Sequence, residues 1–284
     1  MQNTKFIFLN GKIISDTEGC ISLGDRGFLY GDGIFETLRS YKGNPFKLTE
    51  HLKRLRSSAK KLKIPFEYTN TEINRSVQKL LKKNNILDAY IRITLTRGTG
   101  ENGLEINGNF DSTLLIQIKP FKAYERKLYE KGTSLIVSKV RRSASCPISC
   151  HKTTNLLTSI LLKEEVKRKS AHEAIILNTD GHVAECIFSN IFIVNNKTVI
   201  TPSLDTNILP GITRRIVLDI CKNNNISISE ERFKVETLLK AKEAFITNSL
   251  MEIMPVSKVE DYEIGETIPG KITKQIESAY KRLI

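Results

Sequence analysis

The chain has 284 residues, enough for one large domain or two ordinary ones. It is 40% hydrophobic and 26% charged, as soluble globular proteins are, and no apolar run approaches the ~18–20 residues of a membrane span. The formal charge of +13 raises nucleic-acid binding as a possibility, but the basic residues are spread along the chain, with no basic tail and no nucleic-acid motif, so the charge reads as a lysine-rich surface that also attracts small anions.

The first elements are strands. "KFIFLNGKIIS" is two apolar runs around Asn10-Gly11, a strong hairpin signal. "GIFETLRSYKGNPFKL" predicts a second hairpin with its turn near Gly43-Asn44. Leu48, Leu52, Leu55, Ala59 and Leu62 then recur at helical spacing, and residues 71–84 predict another helix. "AYIRITLTRG" and "STLLIQIK" close this part as strands. The polar, proline-marked "KPFKAYERK" reads as a linker, which divides the chain into a small domain over 1–120 and a second domain over 121–284. The second part opens with the strand "TSLIVSKV". A helix follows from about Asn155 to Lys169, then hairpins around Asp180-Gly181 and Asn195-Asn196. "GITRRIVLDICK" is a helix begun after a glycine, "AFITNSLMEIMPV" is strand, loop, strand, and "KITKQIESAYKRLI" is helical. Hairpins mixed with helices, without regular strand–helix alternation, predict an α+β fold.

The five cysteines (Cys20, Cys146, Cys150, Cys186, Cys221) are odd in number and scattered, which favours free thiols in a reducing compartment. The N-terminal apolar stretch is too short for a signal peptide, so the expected location is cytoplasmic. In "CPISCHKTTNLL", Cys146, Cys150 and His151 fall short of the four ligands and clear spacing of a zinc site. They read as local packing, and no metal is expected. Cys186 reads as a small core residue.

Four other features carry chemistry. Gly211 precedes a helix whose first-turn N–H groups, at Ile212 and Thr213, face outward with the positive dipole end, an anion site in form, although glycine before a helix is common. Arg54 and Arg56 lie on a helix, either as a solvated face or as a bidentate grip on a phosphate. Glu185 interrupts an apolar strand, so it is either exposed or buried with a cationic partner. Lys152 is the one basic residue of a small-residue stretch just before a helix.

Taken together, in this order and spacing, Arg54, Lys152, Glu185 and Gly211-Ile212-Thr213 resemble the class IV aminotransferase family, the fold-type IV enzymes of pyridoxal 5′-phosphate. The resemblance runs from "LYGDGIFETLR" to "TNSLMEIMPV". It implies a two-domain α+β fold with a small N-terminal domain and a larger C-terminal pseudo-barrel. It implies pyridoxal phosphate bound as an imine to Lys152, with Glu185 at the pyridine nitrogen keeping the ring protonated as an electron sink. The phosphate falls to the amides of Ile212 and Thr213 behind Gly211, with Arg54 clamping it. Asn248 and Ser249 of "TNS" add contacts, and Asn190 of "FSN" supports from behind.

Within the family, three segments resemble the branch that splits 4-amino-4-deoxychorismate into 4-aminobenzoate and pyruvate for folate synthesis. "GDGIFETLR" carries Thr37 where branched-chain aminotransferases have glycine; its hydroxyl is expected near the leaving group, although threonine is also an ordinary strand residue. "TNSLMEIMPV" and "TRGTGENG" are similar to the lyase versions. "KTTNLL" instead resembles D-amino-acid aminotransferases, and Asn102 stands where some lyases carry an arginine. The expected activity is the lyase, with an amino-acid transaminase (D-amino-acid or branched-chain) as the alternative. Arg97 is expected to hold the carboxylate of a small anionic substrate and Tyr30 to line the pocket. In the family such residues often reach a neighbouring subunit's site, which implies a homodimer with the site near the interface, and neither nucleic acid nor membrane as partner.

Overall fold

In the computed structural model, which describes residues 5–100 and 103–284, two local signals open the fold. β1 (Phe6–Leu9) and β2 (Lys12–Ser15) are joined by Asn10 and Gly11, both left-handed at φ 44° and 88°. That is the geometry a two-residue turn needs to match strand twist. A short α1 (Arg26–Tyr30) precedes β3 (Gly33–Tyr41) and the two-residue β4 (Asn44–Pro45). Their turn uses Lys42 and Gly43, at φ 50° and 84°, one residue earlier than the sequence suggests.

Next come α2 (Leu48–Lys61) and α3 (Asn70–Asn84). Thr69 and Glu72 close a capping box at the start of α3, and left-handed Asn85 ends it. β5 (Ala89–Thr99) and β6 (Asp111–Pro120) complete a six-stranded antiparallel sheet in the order β2-β1-β6-β5-β3-β4. In β5 the side chains alternate: Ala89, Ile91, Ile93 and Leu95 are buried, while Tyr90, Arg92, Thr94 and Thr96 are half-buried. The buried set packs with Leu52, Leu55, Ile73, Val77 and Leu80 of the two helices. Burying each leucine or isoleucine contributes roughly 1.5–3 kcal/mol.

The chain divides into two compact units, 1–122 with 151–155, and 123–150 with 156–284. Residues 151–155, expected in the second domain, group with the first because backbone bonds tie them to β3. Phe35 N–H donates to the Lys152 carbonyl at 2.8 Å and Thr154 N–H to the Gly33 carbonyl at 2.9 Å, around a bridge between Ile34 and Thr153. The Thr154 hydroxyl adds a bond to the Gly31 carbonyl at 2.7 Å.

The second unit contains, in order, α4 (Arg126–Lys131), β7 (Thr133–Arg142), α5 (Leu157–Arg168), β8 (Glu173–Asn178), β9 (Val183–Cys186), β10 (Asn190–Asn195), β11 (Thr198–Pro202), α6 (Ile212–Asn223), β12 (Ile228–Glu231), α7 (Val235–Leu239), β13 (Glu243–Asn248), β14 (Glu252–Val259), β15 (Tyr262–Glu263) and α8 (Lys271–Lys281). Its nine-stranded sheet runs β12-β11-β10-β13-β14-β7-β8-β9, with β15 on β14. β7 lies parallel to both β8 and β14. The sheet curls as a half-barrel, bringing Glu185 of β9 to Asn190 of β10. The β8–β9 turn falls at Gly181, as its sequence suggests, and the β10–β11 turn at Asn196-Lys197, one residue later than expected. The short α1, α4 and α7 are too brief to display a helical period.

Candidate active site

In the first unit, strand alternation sorts β3 into two faces. Ile34 and Leu38 join the core under the helices, and Glu36 meets α2. Phe35 and Thr37 turn the other way. The Lys152 ammonium lies 4.6 Å from the centre of the Phe35 ring, and the Arg92 guanidinium lies 3.8 Å from the same centre. Arg92 sits opposite Thr37 in the sheet and donates from Nε to the Thr94 hydroxyl at 3.2 Å. The ring of Phe35 thus carries both cations, Lys152 and Arg92.

Behind this face lies a sealed polar cluster. Glu36 accepts Arg54 Nε on Oε1 and Arg54 Nη2 on Oε2, each at 2.7 Å, and His51 Nδ1 on Oε2 at 2.7 Å. Burial pushes the Glu36 pKa up, but the charge of Arg54 and the hydrogen bonds from Arg54 and His51 pull it down to about 2. Burial lowers His51 more than Glu36 raises it, so at neutral pH the imidazole is neutral and donates from Nδ1.

Three expected site residues lie in this unit, Arg54, Arg97 and Tyr30. Arg54 does not stand alone on a helix face; Glu36 grips one edge of its guanidinium. Arg97 is corrected from a substrate contact to a core lock. It is buried, pairs with Asp32 through Nε at 2.7 Å and Nη2 at 3.0 Å, and donates to the carbonyls of Leu62 and Lys63. Arg26 shares the same carboxylate. The signal was present in "AYIRITLTR", where period-two alternation sets Arg97 in phase with Leu95 in the core and Arg92 on the opposite face. Arg92, half-buried on that opposite face, is not among the candidates the sequence offers. Tyr30 is exposed at the end of α1, with Arg26 stacked 5.1 Å from its ring centre. Asn102 lies outside the described residues.

In the second unit Glu185 is buried in β9 and does have a cationic partner, Arg142 of β7, at Oε1. Oε2 accepts Asn190 Nδ2 at 3.1 Å and the Leu209 N–H at 3.2 Å. Asn190 also donates to the Leu209 carbonyl at 3.0 Å, so it joins Glu185 to the segment leading into α6. That segment ends in Gly211, which caps α6 without a side-chain bond. A Cβ there would meet Asn190 Oδ1 at 2.0 Å, so glycine is what lets the helix start approach. Ile212 and Thr213 follow as the first turn. Asn248 shapes its own loop: Oδ1 accepts the N–H groups of Leu250 and Met251, each at 2.9 Å, and Nδ2 donates to the Phe188 carbonyl at 3.2 Å. Ser249 is half-buried beside it.

A second buried carboxylate in this unit was not anticipated. Glu173 of β8 accepts only weak bonds, from the Ala174 N–H at 3.3 Å and from the Phe188 N–H and Ser189 hydroxyl at 3.4 Å. Burial raises its pKa to about 7. The clue that marked Glu185, a carboxylate in an apolar strand, was equally present in "EAIILN". His151 bonds the Ser58 hydroxyl at 2.9 Å, and the Cys146 carbonyl accepts Asn207 Nδ2 at 2.7 Å. Among the described residues no group of three or more His, Cys, Asp or Glu side chains is set to hold a metal.

Residues 33–259 match the family model of the class IV amino-transferases. The aminodeoxychorismate lyase of Bacillus subtilis (strain 168) is 34% identical over 280 residues, covering 98% of this chain and 94% of the relative. A putative branched-chain-amino-acid aminotransferase of Methanocaldococcus jannaschii is 37% identical over 276 residues, covering 97% and 95%. Among solved structures, a T.th. branched-chain amino acid aminotransferase with pyridoxamine 5′-phosphate aligns with a TM-score of 0.91 at 27% identity, covering 98% of this chain and 93% of that one.

Proposed function

Because the chain belongs to the class IV aminotransferase family and its cofactor is pyridoxal 5′-phosphate, we propose that it is an aminodeoxychorismate lyase, splitting 4-amino-4-deoxychorismate into 4-aminobenzoate and pyruvate. The residues fit the cofactor. Lys152 offers an amine beside an aromatic face, Glu185 a buried carboxylate, and α6 a first turn that only a glycine caps. In this reading Lys152 bonds the cofactor's aldehyde carbon. Glu185, paired with Arg142 and two N–H donors, meets the ring nitrogen, with Asn190 fixing its direction. Gly211, Ile212 and Thr213 receive the phosphate together with Arg54, and Asn248 and Ser249 form the adjoining loop.

When bound, the cofactor supplies an electron sink for the charge left on the substrate carbon. Lys152 Nζ takes the proton from the amine-bearing ring carbon. The Thr37 hydroxyl passes a proton to the departing enolpyruvyl group as its C–O bond to the ring breaks. The two products together contain every atom of the substrate, so no water, oxidant or second substrate is required. Arg92, beside Thr37 and on the same ring as Lys152, takes the substrate's ring carboxylate in place of Arg97.

The observation that carries the lyase reading is that Thr37 and Lys152 share one sheet face, with Arg92 opposite Thr37. The 37% identity to a putative branched-chain aminotransferase favours a transaminase as the second reading. Pyruvate release from aminodeoxychorismate, measured without a keto acid, separates the two: the lyase releases it, and a transaminase turns over only with a keto-acid acceptor. Lys152→Ala is expected to abolish either activity and leave the fold intact. Thr37→Gly is expected to cut pyruvate release by ~10²-fold, the low end for a positioned proton-transfer group, and side transamination far less; equal losses would overturn the role of Thr37.

The reading extends to a cytoplasmic homodimer. Exposed apolar side chains, Leu23 and Phe28 around α1 and Leu157 and Leu161 on α5, support a partner copy, and the five cysteines are unpaired. No helix among the described residues is long and apolar enough to cross a membrane.

A further inference from the structure

We propose that Glu36 is a positioning residue for phosphate recognition: it fixes the plane and direction of the Arg54 guanidinium, and it acts on the ligand only through that arginine. The proposal rests on the reading of Arg54 as a phosphate contact and goes beyond it. A glutamate between Ile34 and Leu38, on a face otherwise given to the apolar core, is costly to bury. An apolar side chain there would pack at least as well as a buried ion pair, so what the carboxylate supplies is geometry. A lone arginine on a helix samples many rotamers, whereas a fork held through Nε and Nη2 on two oxygens has one orientation.

The cluster is also layered. The side chains of Glu36 and His51 are each 1% exposed, while that of Arg54 is 11% exposed. The acceptor and its second donor are sealed, and the arginine alone reaches the surface. His51, neutral through burial, completes the carboxylate's bonding at Oε2 without competing with Arg54 for an anion. Phe35, the residue before Glu36, carries Lys152 on its ring, so one strand segment sets both the amine and the arginine.

The test compares two ligands that differ by the phosphate alone. The full chain, freed of cofactor, is titrated with pyridoxal 5′-phosphate and with pyridoxal, and imine formation is followed by absorbance. Arg54→Lys serves as the reference variant. Glu36→Gln is expected to weaken pyridoxal 5′-phosphate binding by about 10-fold or more, the scale of one charged hydrogen bond. Pyridoxal binding is expected to change by less than about twofold, which also reports that the variant is folded. Should the glutamine variant not fold, Glu36→Asp, which keeps the charge but withdraws it by one methylene, carries the same expectation. Equal losses on both ligands, or no loss on either, would overturn the proposal. If Arg54→Lys is selective for the phosphate and Glu36→Gln is not, the positioning role falls and the phosphate contact stands. If Arg54→Lys weakens both ligands alike, Arg54 is not the phosphate contact and both fall.

Discussion

Strands β3 and β8 each bury a glutamate among apolar neighbours, and the two carboxylates reach opposite states. Glu36 meets Arg54 and His51 at 2.7 Å and is held down at about 2. Glu173 receives only peptide N–H groups and a hydroxyl at 3.3–3.4 Å and is pushed up to about 7. Burial raises both; a guanidinium within hydrogen-bond reach reverses the outcome at Glu36, while the charge of Lys163 and weak dipoles do not at Glu173. Glu185 shares with Glu36 a guanidinium partner, Arg142 on one oxygen, and has two N–H donors on the other.

The largest effect expected from this contrast is at Glu36. Glu36→Ala takes this counter-charge from the half-buried Arg54 and should cost about 3 kcal/mol, the low end for breaking a buried pair, in urea denaturation. A cost below about 1 kcal/mol would show that the cluster relaxes and that its order is not built in.

The two glutamates should also give stability–pH slopes of opposite sign. A carboxyl displaced from 4.5 to about 2 contributes about 3 kcal/mol, present above pH 4.5 and lost as the pH falls through about 2. Glu173 does the reverse: its contribution is full below pH 4.5 and is lost as the pH rises through about 7. Glu173→Gln should therefore stabilise the protein by about 3 kcal/mol at pH 8 and by nearly nothing at pH 4. A gain that is independent of pH would mean that Glu173 is ionised in the fold throughout.

Glu185→Gln tests the middle case. The amide keeps the shape and loses the charge, so pyridoxal phosphate should still bind while turnover falls by ~10²-fold or more, the share of a single well-placed electrostatic group. Near-native turnover would leave Arg142 and Glu185 as a structural pair only. The smallest effect is at Ser189. Its hydroxyl is one of the few donors to Glu173, and Ser189→Ala should cost about 0.5–1.5 kcal/mol and move the Glu173 midpoint further up in a titration followed by NMR.

Much of the fold was legible because its signals are local. Asn10-Gly11 specifies its turn by itself, since both positions require left-handed backbone. The leucines of α2 and the capping box at Thr69 mark helices without reference to anything distant. A carboxylate in an apolar strand leaves Glu185 either exposed or paired with a cation, and nothing in "HVAECIFSN" names Arg142, which lies 43 residues earlier. Arg97 and Arg92 were separable in principle by their phase along β5.

What the sequence by itself determined is the type and order of the longer elements, because propensity, turn chemistry and side-chain periodicity act over a few residues. Tertiary structure alone decided three things. It drew residues 151–155 into the first unit through backbone bonds to β3. It set Arg54 on Glu36 rather than free on a helix face. It left Glu173 with only the charge of Lys163, which does not offset burial, while giving Glu36 a hydrogen-bonded guanidinium. Each depends on which group from a distant part of the chain arrives within about 3 Å, the range over which a charged hydrogen bond acts.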